Sequence, residues 1–210
     1  MLNSEYARQR IIEAAFDLFG RIGYSGTTVR MIAAQADVSL SAIPYYFENK
    51  ENLFMHIVNR ASNDFRTYFS EISEKSEEFL KTSPHDPHQA RELLLAFINK
   101  HIDYVFDTGN DKQMRLFFQI RSSQDTPVPE TDRPGFTTIL PISRLLRVNK
   151  PSLSEEESVI LAYSMIGEQL FFFYHRPSIL AQLNRNEYTP ETVLIIRGSL
   201  IQKLELILEN

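Results

Sequence analysis

The chain has 210 residues, 43% of them hydrophobic and 23% charged, with a formal net charge of −5, which is enough apolar material for one substantial core or two small ones. The absence of cysteine excludes disulfides, thiolate metal sites, iron–sulfur clusters and cysteine nucleophiles, and accords with a reducing compartment. No apolar run reaches the roughly 18 residues a membrane helix needs, and Glu5, Arg8 and Arg10 stand where a secretory signal would be hydrophobic, so a cytoplasmic protein with no membrane partner is expected.

Apolar residues recur at three- and four-residue steps between segments that hold most of the glycine and proline, and this spacing predicts an all-α fold. A first helix over 4–22 carries Ile11, Ile12, Ala15, Phe16, Leu18, Phe19 and Ile22, with Gly23 at its stop. Thr27 or Thr28 can cap a short second helix bearing Val29, Ile32 and Ala33, which breaks at Ala36-Asp37-Val38. The third begins at Ser39 or Ser41 and ends near Phe47. Pro44 decides between these starts, because five positions after Ser39 it removes a backbone hydrogen bond, whereas three after Ser41 its missing N–H costs nothing.

Asn49 caps a long helix from 50 to about 80, Thr82 to Pro87 form a loop, and Leu93 to Phe106 read as a helix ending before Gly109. A helix over 111–123 follows. Residues 124–135, with three prolines and a glycine, are the longest irregular stretch and a candidate flap. A helix over 136–148 contains Pro141. Ser154 and Glu157 make a capping box for a helix of some twenty residues that Pro177 ends. A short turn of helix over 178–183 leads to Thr189-Pro190-Glu191, in the order cap, first-turn proline and dipole-favourable acid. The final helix, to about 208, is apolar over more than half its circumference through Val193, Leu194, Ile196, Leu200, Ile201, Leu204, Ile207 and Leu208. So much apolar surface needs covering from two sides.

Two short helices carried on a longer first one are the arrangement of a helix-turn-helix unit. The residues are specific: Arg10-Ile11-Ile12, Ala14-Ala15, Leu18-Phe19, Gly23-Tyr24, Thr27-Thr28-Val29, Ile32-Ala33, Val38-Ser39, Ile43, Tyr45-Tyr46-Phe47, Lys50-Glu51 and Leu53. Together they resemble the N-terminal domain of the TetR family of transcriptional regulators. The resemblance implies a DNA-binding domain over 1–50 and an effector-binding and dimerisation domain over 51–210. It implies contacts to double-stranded operator DNA by Thr28, Tyr45, Tyr46 and Lys50 at phosphates, and by Ser39, Leu40, Ser41 and Ala42 at base edges. Leu40 and Ala42 can offer only apolar contact, for instance to a thymine methyl. Ala42 and Pro44 depart from the family's usual glycine or threonine and tyrosine. Residues 1–50 hold five basic and five acidic side chains, so affinity owes little to net charge.

The family resemblance also implies a homodimer, with the helix over 156–173 and the last helix pairing with their symmetry mates. The segment Ile166-Gly167-Glu168-x-Leu170 and the Arg197-containing last helix resemble the CecR-type subgroup. Aromatics crowd this half: Phe97, Tyr104, Phe106, Phe117, Phe118, Phe136 and Phe171 through Tyr174. Four consecutive aromatics cannot share one core. A pocket for a small hydrophobic or aromatic effector is expected from Phe97, His101, Tyr104, Arg115, Phe118, Arg121, Glu168 and Phe172, with Gln169 a further polar candidate.

An enzyme is disfavoured, since there is no nucleophile elbow, phosphate-binding glycine loop or paired helical metal ligands, and His85-x-x-His88 lies in a loop. No cofactor or metal is expected. The alternative to a ligand-released repressor is a dimeric small-molecule-binding adaptor without DNA binding.

Overall fold

The computed structural model describes residues 2–123, 125–128 and 136–209, with side chains for 5–123, 125–128 and 138–209. Ten α-helices are seen among them: α1 Leu2–Gly26, α2 Val29–Ala36, α3 Ala42–Phe47, α4 Lys50–Thr82, α5 Pro87–Phe106, α6 Asp111–Ser122, α7 Phe136–Asn149, α8 Glu155–Tyr174, α9 Arg176–Gln182 and α10 Pro190–Glu209. Most of the expected flap, 124 and 129–135, and the side chain of Phe136 lie outside the described residues.

Local chemistry sets many of the boundaries. The regular run of α1 breaks at Gly23, whose φ of 75° and ψ of 177° belong to a region that is essentially reserved for glycine. Thr28 caps α2 by accepting from the Met31 N–H at 3.2 Å. In α3 the cap is Ser41, the late start that Pro44 requires. Asp86, not a residue near Leu93, starts α5: its carboxylate accepts from the N–H groups of His88 and Gln89, and Pro87 takes the first-turn position, so the helix gains two turns over the expectation. The reciprocal Ser154–Glu157 box opens α8. Pro177 has a different role from the expected one. The eighth helix already stops at Tyr174, and Pro177 sits in the first turn of α9, where its missing N–H is harmless.

Contacts divide the described residues into two compact units, 1–66 with 109–134 and 67–108 with 135–210. They do not divide at residue 50. The reason in the first unit is α6, which lies against α1. Gly20 lies at that contact, where a Cβ would stand 3.4 Å from the Lys112 carbonyl oxygen and 3.5 Å from the Leu116 nitrogen, ordinary packing distances. The core of this unit includes Ile11, Ala15, Phe19, Ile32, Ile43, Leu53, Phe54, Leu116 and Ile120, all essentially inaccessible. Phe19 and Phe54 meet edge to face at 4.8 Å, a favoured aromatic geometry.

In the second unit α5, α7 and α8 pack on one another and α10 packs on α5 and α8. Ala90, Leu94, Phe97, Ile98, Ile102, Ile142, Leu145, Leu146 and Ala162 are buried there. Ion pairs tie α10 in place: Arg197 bonds Asn99 at 2.6 Å and pairs with Asp103, Lys203 pairs with Glu168, and Arg91 with Glu205.

Candidate nucleic-acid interface and effector site

The geometry between α1 and α4 is held by two cations. Arg10, on α1, donates from Nε to the Ala36 carbonyl at 2.6 Å, also bonds the Asp37 carbonyl, and pairs with the Asp37 carboxylate at 2.9 Å. Asp37 adopts a left-handed conformation, φ 49° and ψ 56°, at the end of α2. Arg10 thus satisfies carbonyls that the end of α2 leaves open and anchors the turn leading to α3. At the other end, the Lys50 ammonium donates to the carbonyls of Tyr24 and Thr27 at 3.0 and 3.1 Å and lies 4.0 Å from the Tyr24 ring centroid. Thr27, buried, donates from its hydroxyl to the Gly23 carbonyl at 2.7 Å. His56, whose ring lies 5.7 Å from that of Phe47, is held below the ordinary histidine range by burial first and then by the Arg8 and Arg60 guanidiniums. Its Nε2 faces Arg8 Nη2 at 3.4 Å.

On this frame Ile43 and Phe47 face inward, 0% and 6% exposed, while Leu40 and Tyr45 face outward at 51% and 79%. Ser39, Ser41 and Pro44 are also exposed, and Ala42 and Tyr46 are half-buried. The adjacent Tyr45 and Tyr46 rings meet edge to face at 4.9 Å. Thr28 is exposed, and its O–H proton remains available after the oxygen has capped α2. Every expected DNA contact is therefore exposed or half-buried, Lys50 among the half-buried ones with its ammonium turned to backbone carbonyls.

The expected effector residues fall in both units. Phe97, His101 and Tyr104 are buried on α5, and the rings of His101 and Tyr104 lie 4.9 and 5.8 Å from that of Phe69. Arg115, Phe118 and Arg121 are on α6, within the first unit, where Arg115 sits 3.6 Å from Asp111 and Phe118 is 42% exposed. Glu168 pairs with Lys203, and the Phe172 carbonyl accepts from the Tyr188 hydroxyl at 3.0 Å. Gln169, one residue on from Glu168, is 1% exposed, and its Oε1 has no hydrogen-bond partner among the described residues. It shares the inward face of α8 with Ala162, Ile166 and Phe173. The spacing of these positions was the available signal for preferring Gln169 to Glu168.

Residues 11–57 match the description of bacterial regulatory proteins of the tetR family. The chain belongs to the TetR family. Over its whole length it is 26% identical to the HTH-type transcriptional dual regulator CecR of Shigella flexneri, covering 94% of that protein. A match of 118 residues, 56% of this chain and 55% of the relative, is 25% identical to the negative transcriptional regulator IcaR of the biofilm operon icaADBC in Staphylococcus epidermidis. Among solved structures, a transcriptional regulator from Saccharomonospora viridis in complex with choline superposes with a TM-score of 0.58 at 20% identity, covering 95% of both chains.

As a TetR-family protein, the chain is a DNA-binding transcriptional regulator, and the exposed face of α3 is its candidate reading surface. No described helix is long and apolar enough to cross a membrane. In this regulator Lys50 has two of its three N–H donors on backbone carbonyls. Lys50→Met should therefore lower stability by about 1–2 kcal/mol, because two carbonyls lose a charged donor. Urea denaturation is the check. A midpoint equal to that of the parent protein would show that these bonds contribute nothing.

Proposed function

We propose that this TetR-family regulator works as a homodimeric repressor released by a small effector, acting in the cytoplasm on double-stranded operator DNA. The observation that carries the dimer is a pair of outward apolar stripes on neighbouring helices. On α8, Ile160, Tyr163 and Phe171 are 58%, 42% and 53% exposed, and on α10 Leu194, Ile195 and Leu206 are 64%, 67% and 52% exposed. Gly167 and Gly198, on the same helices, have open space where a Cβ would be, which lets a partner helix approach closely. The spacing along each helix keeps the stripes to one side. A two-fold pairing would cover them and present two α3 helices to successive major grooves.

DNA contact is assigned to Thr28, Ser39, Leu40, Ser41, Ala42, Tyr45 and Tyr46, with the third Lys50 donor available to a phosphate. The division of labour is residues around α1–α3 for DNA and the second unit for effector and dimer. Phe97, His101, Tyr104 and Phe69 with the buried Gln169 amide favour a small apolar or aromatic compound that carries one hydrogen-bond donor for Gln169 Oε1. The choline bound by the Saccharomonospora viridis protein is a compound of that size with a hydroxyl donor. Because α4 contributes 50–66 to one unit and 67–82 to the other, an effector that packs beside Phe69 bears on the helix that starts at Lys50.

The test begins with selection of bound genomic fragments, followed by titration of choline and a panel of aromatic and alkyl alcohols, amines and carboxylates against the protein–operator complex. At least one compound is expected to weaken operator affinity about tenfold or more, within the usual range of coupling between sites. Gln169→Leu should abolish that response while leaving ligand-free operator affinity unchanged. A response that survives Gln169→Leu would remove Gln169 from the pocket.

A further inference from the structure

The reading surface around α3 has an unusual chemistry for a DNA-binding helix. From Ser39 to Phe47 the chain reads Ser-Leu-Ser-Ala-Ile-Pro-Tyr-Tyr-Phe. It holds no arginine, lysine, asparagine or glutamine, the side chains that read guanine or adenine through two parallel hydrogen bonds. Its two exposed serines are engaged with each other, Oγ to Oγ at 3.0 Å. What the surface offers outward is mostly carbon. Leu40 is 51% exposed in the turn before α3, and Pro44, four residues on, is exposed in α3 itself. Ala42, half-buried between them, adds only a methyl. Beside the two serines, the exposed polar side chain of the stretch is Tyr45, 79% exposed, and a single phenol hydroxyl fixes no base identity by itself.

The major groove presents one apolar feature on its floor, the C5-methyl of thymine. We infer that the regulator reads its operator half-site chiefly through thymine methyl groups, packed against the side chains of Leu40 and Pro44. This rests on the proposal that α3 enters the major groove, and names what it reads there. A surface of this kind discriminates by shape and desolvation, so one thymine methyl set against carbon is worth about one buried methyl group. That corresponds to about fourfold in affinity per contact, and to about fifteenfold when both half-sites of a dimer are altered together. Phosphate contacts around the groove would supply the remaining, sequence-independent affinity.

Deoxyuridine differs from thymidine by that methyl alone, so the experiment changes the DNA and leaves the folded protein untouched. The full-length protein is first used to select its preferred site from a library of random duplexes. Each thymine of the enriched half-site is then replaced by deoxyuridine, in both half-sites at once, and affinity is measured by fluorescence anisotropy at fixed salt. The expected result is a loss of about fifteenfold at one or two thymines per half-site and no change at the others. With Leu40→Ala or Pro44→Ala, both at exposed positions, the same duplexes should lose their distinction between thymine and uracil at the position that side chain covers. Uniform tolerance of uracil would overturn the inference while leaving DNA binding intact. So would an unchanged uracil penalty in both variants. Failure to enrich any sequence would overturn operator binding itself, and this inference with it.

Discussion

Replacing Leu194 and Ile195 together by glutamate is expected to convert the regulator to a monomer and to weaken operator binding by about a hundredfold or more. Both side chains are about two-thirds exposed, at 64% and 67%, so the substitution adds charge where the chain's own core asks for nothing and folding should be preserved. In a two-fold dimer, however, each change occurs twice. Four unpaired carboxylates would have to leave water, at an effective penalty of several kcal/mol per ion. A dimer interface of ordinary size has no surplus to offset that. Loss of the partner removes one of the two recognition helices, and a single helix-turn-helix makes too few base contacts for specific binding. Sedimentation equilibrium and operator titration together decide the matter. A double variant that remains dimeric, or a monomer that binds the operator as tightly as the parent, would contradict the assignment of α8 and α10 as the interface.

The second large effect is expected at the end of α1. Gly23→Ala should destabilise the protein by about 2–3 kcal/mol, because the backbone there occupies φ 75° and ψ 177°, a conformation whose strain for other residues is of this order. Space is the lesser problem, since the new Cβ would meet only the end of the Gln119 side chain, at 2.9 Å. The consequence for DNA is local. Gly23 offers its carbonyl to the Thr27 hydroxyl, Tyr24 and Thr27 offer theirs to Lys50, and Thr28 caps α2. A shifted turn therefore moves the cap, the lysine and the start of the reading unit at once. Urea denaturation and operator affinity should fall together in this variant. Stability equal to the parent's would show that the turn relaxes to an ordinary conformation without cost.

The two predictions differ in what they ask of the sequence. Gly23 stands out in the chain itself, as a stop after a run of apolar residues at helical spacing. Leu194 and Ile195 do not separate from Ile196 and Leu200 until the packing of α10 is known, since all four are aliphatic and only the last two are buried, at 6% each. The long apolar stripe signalled that something covers the helix, but the covered side could be read only from the fold. The candidate DNA surface lies between these cases. Its membership follows from the matching string, whereas the inward course of Lys50 follows from the position of the Tyr24 and Thr27 carbonyls, which no local pattern encodes.

What the amino-acid sequence determined by itself is everything whose cause lies within about one helical turn. The caps at Thr28, Ser41 and Ser154, the glycine stop at Gly23 and the late start of α3 imposed by Pro44 all depend on neighbours three or four residues away, so composition and spacing suffice. The tertiary structure decided which faces meet. The sixth helix lies on α1 in the first unit, so Arg115, Phe118 and Arg121 belong to that unit while Phe97, His101 and Tyr104 belong to the second. Gln169, rather than Glu168, lies on the buried face of α8 with Ala162, Ile166 and Phe173; the spacing marks that face, but which helices cover it, α5 and α7, was decided by the packing. Such choices compare packing between segments many residues apart, and a short string of side chains holds no record of its distant partner.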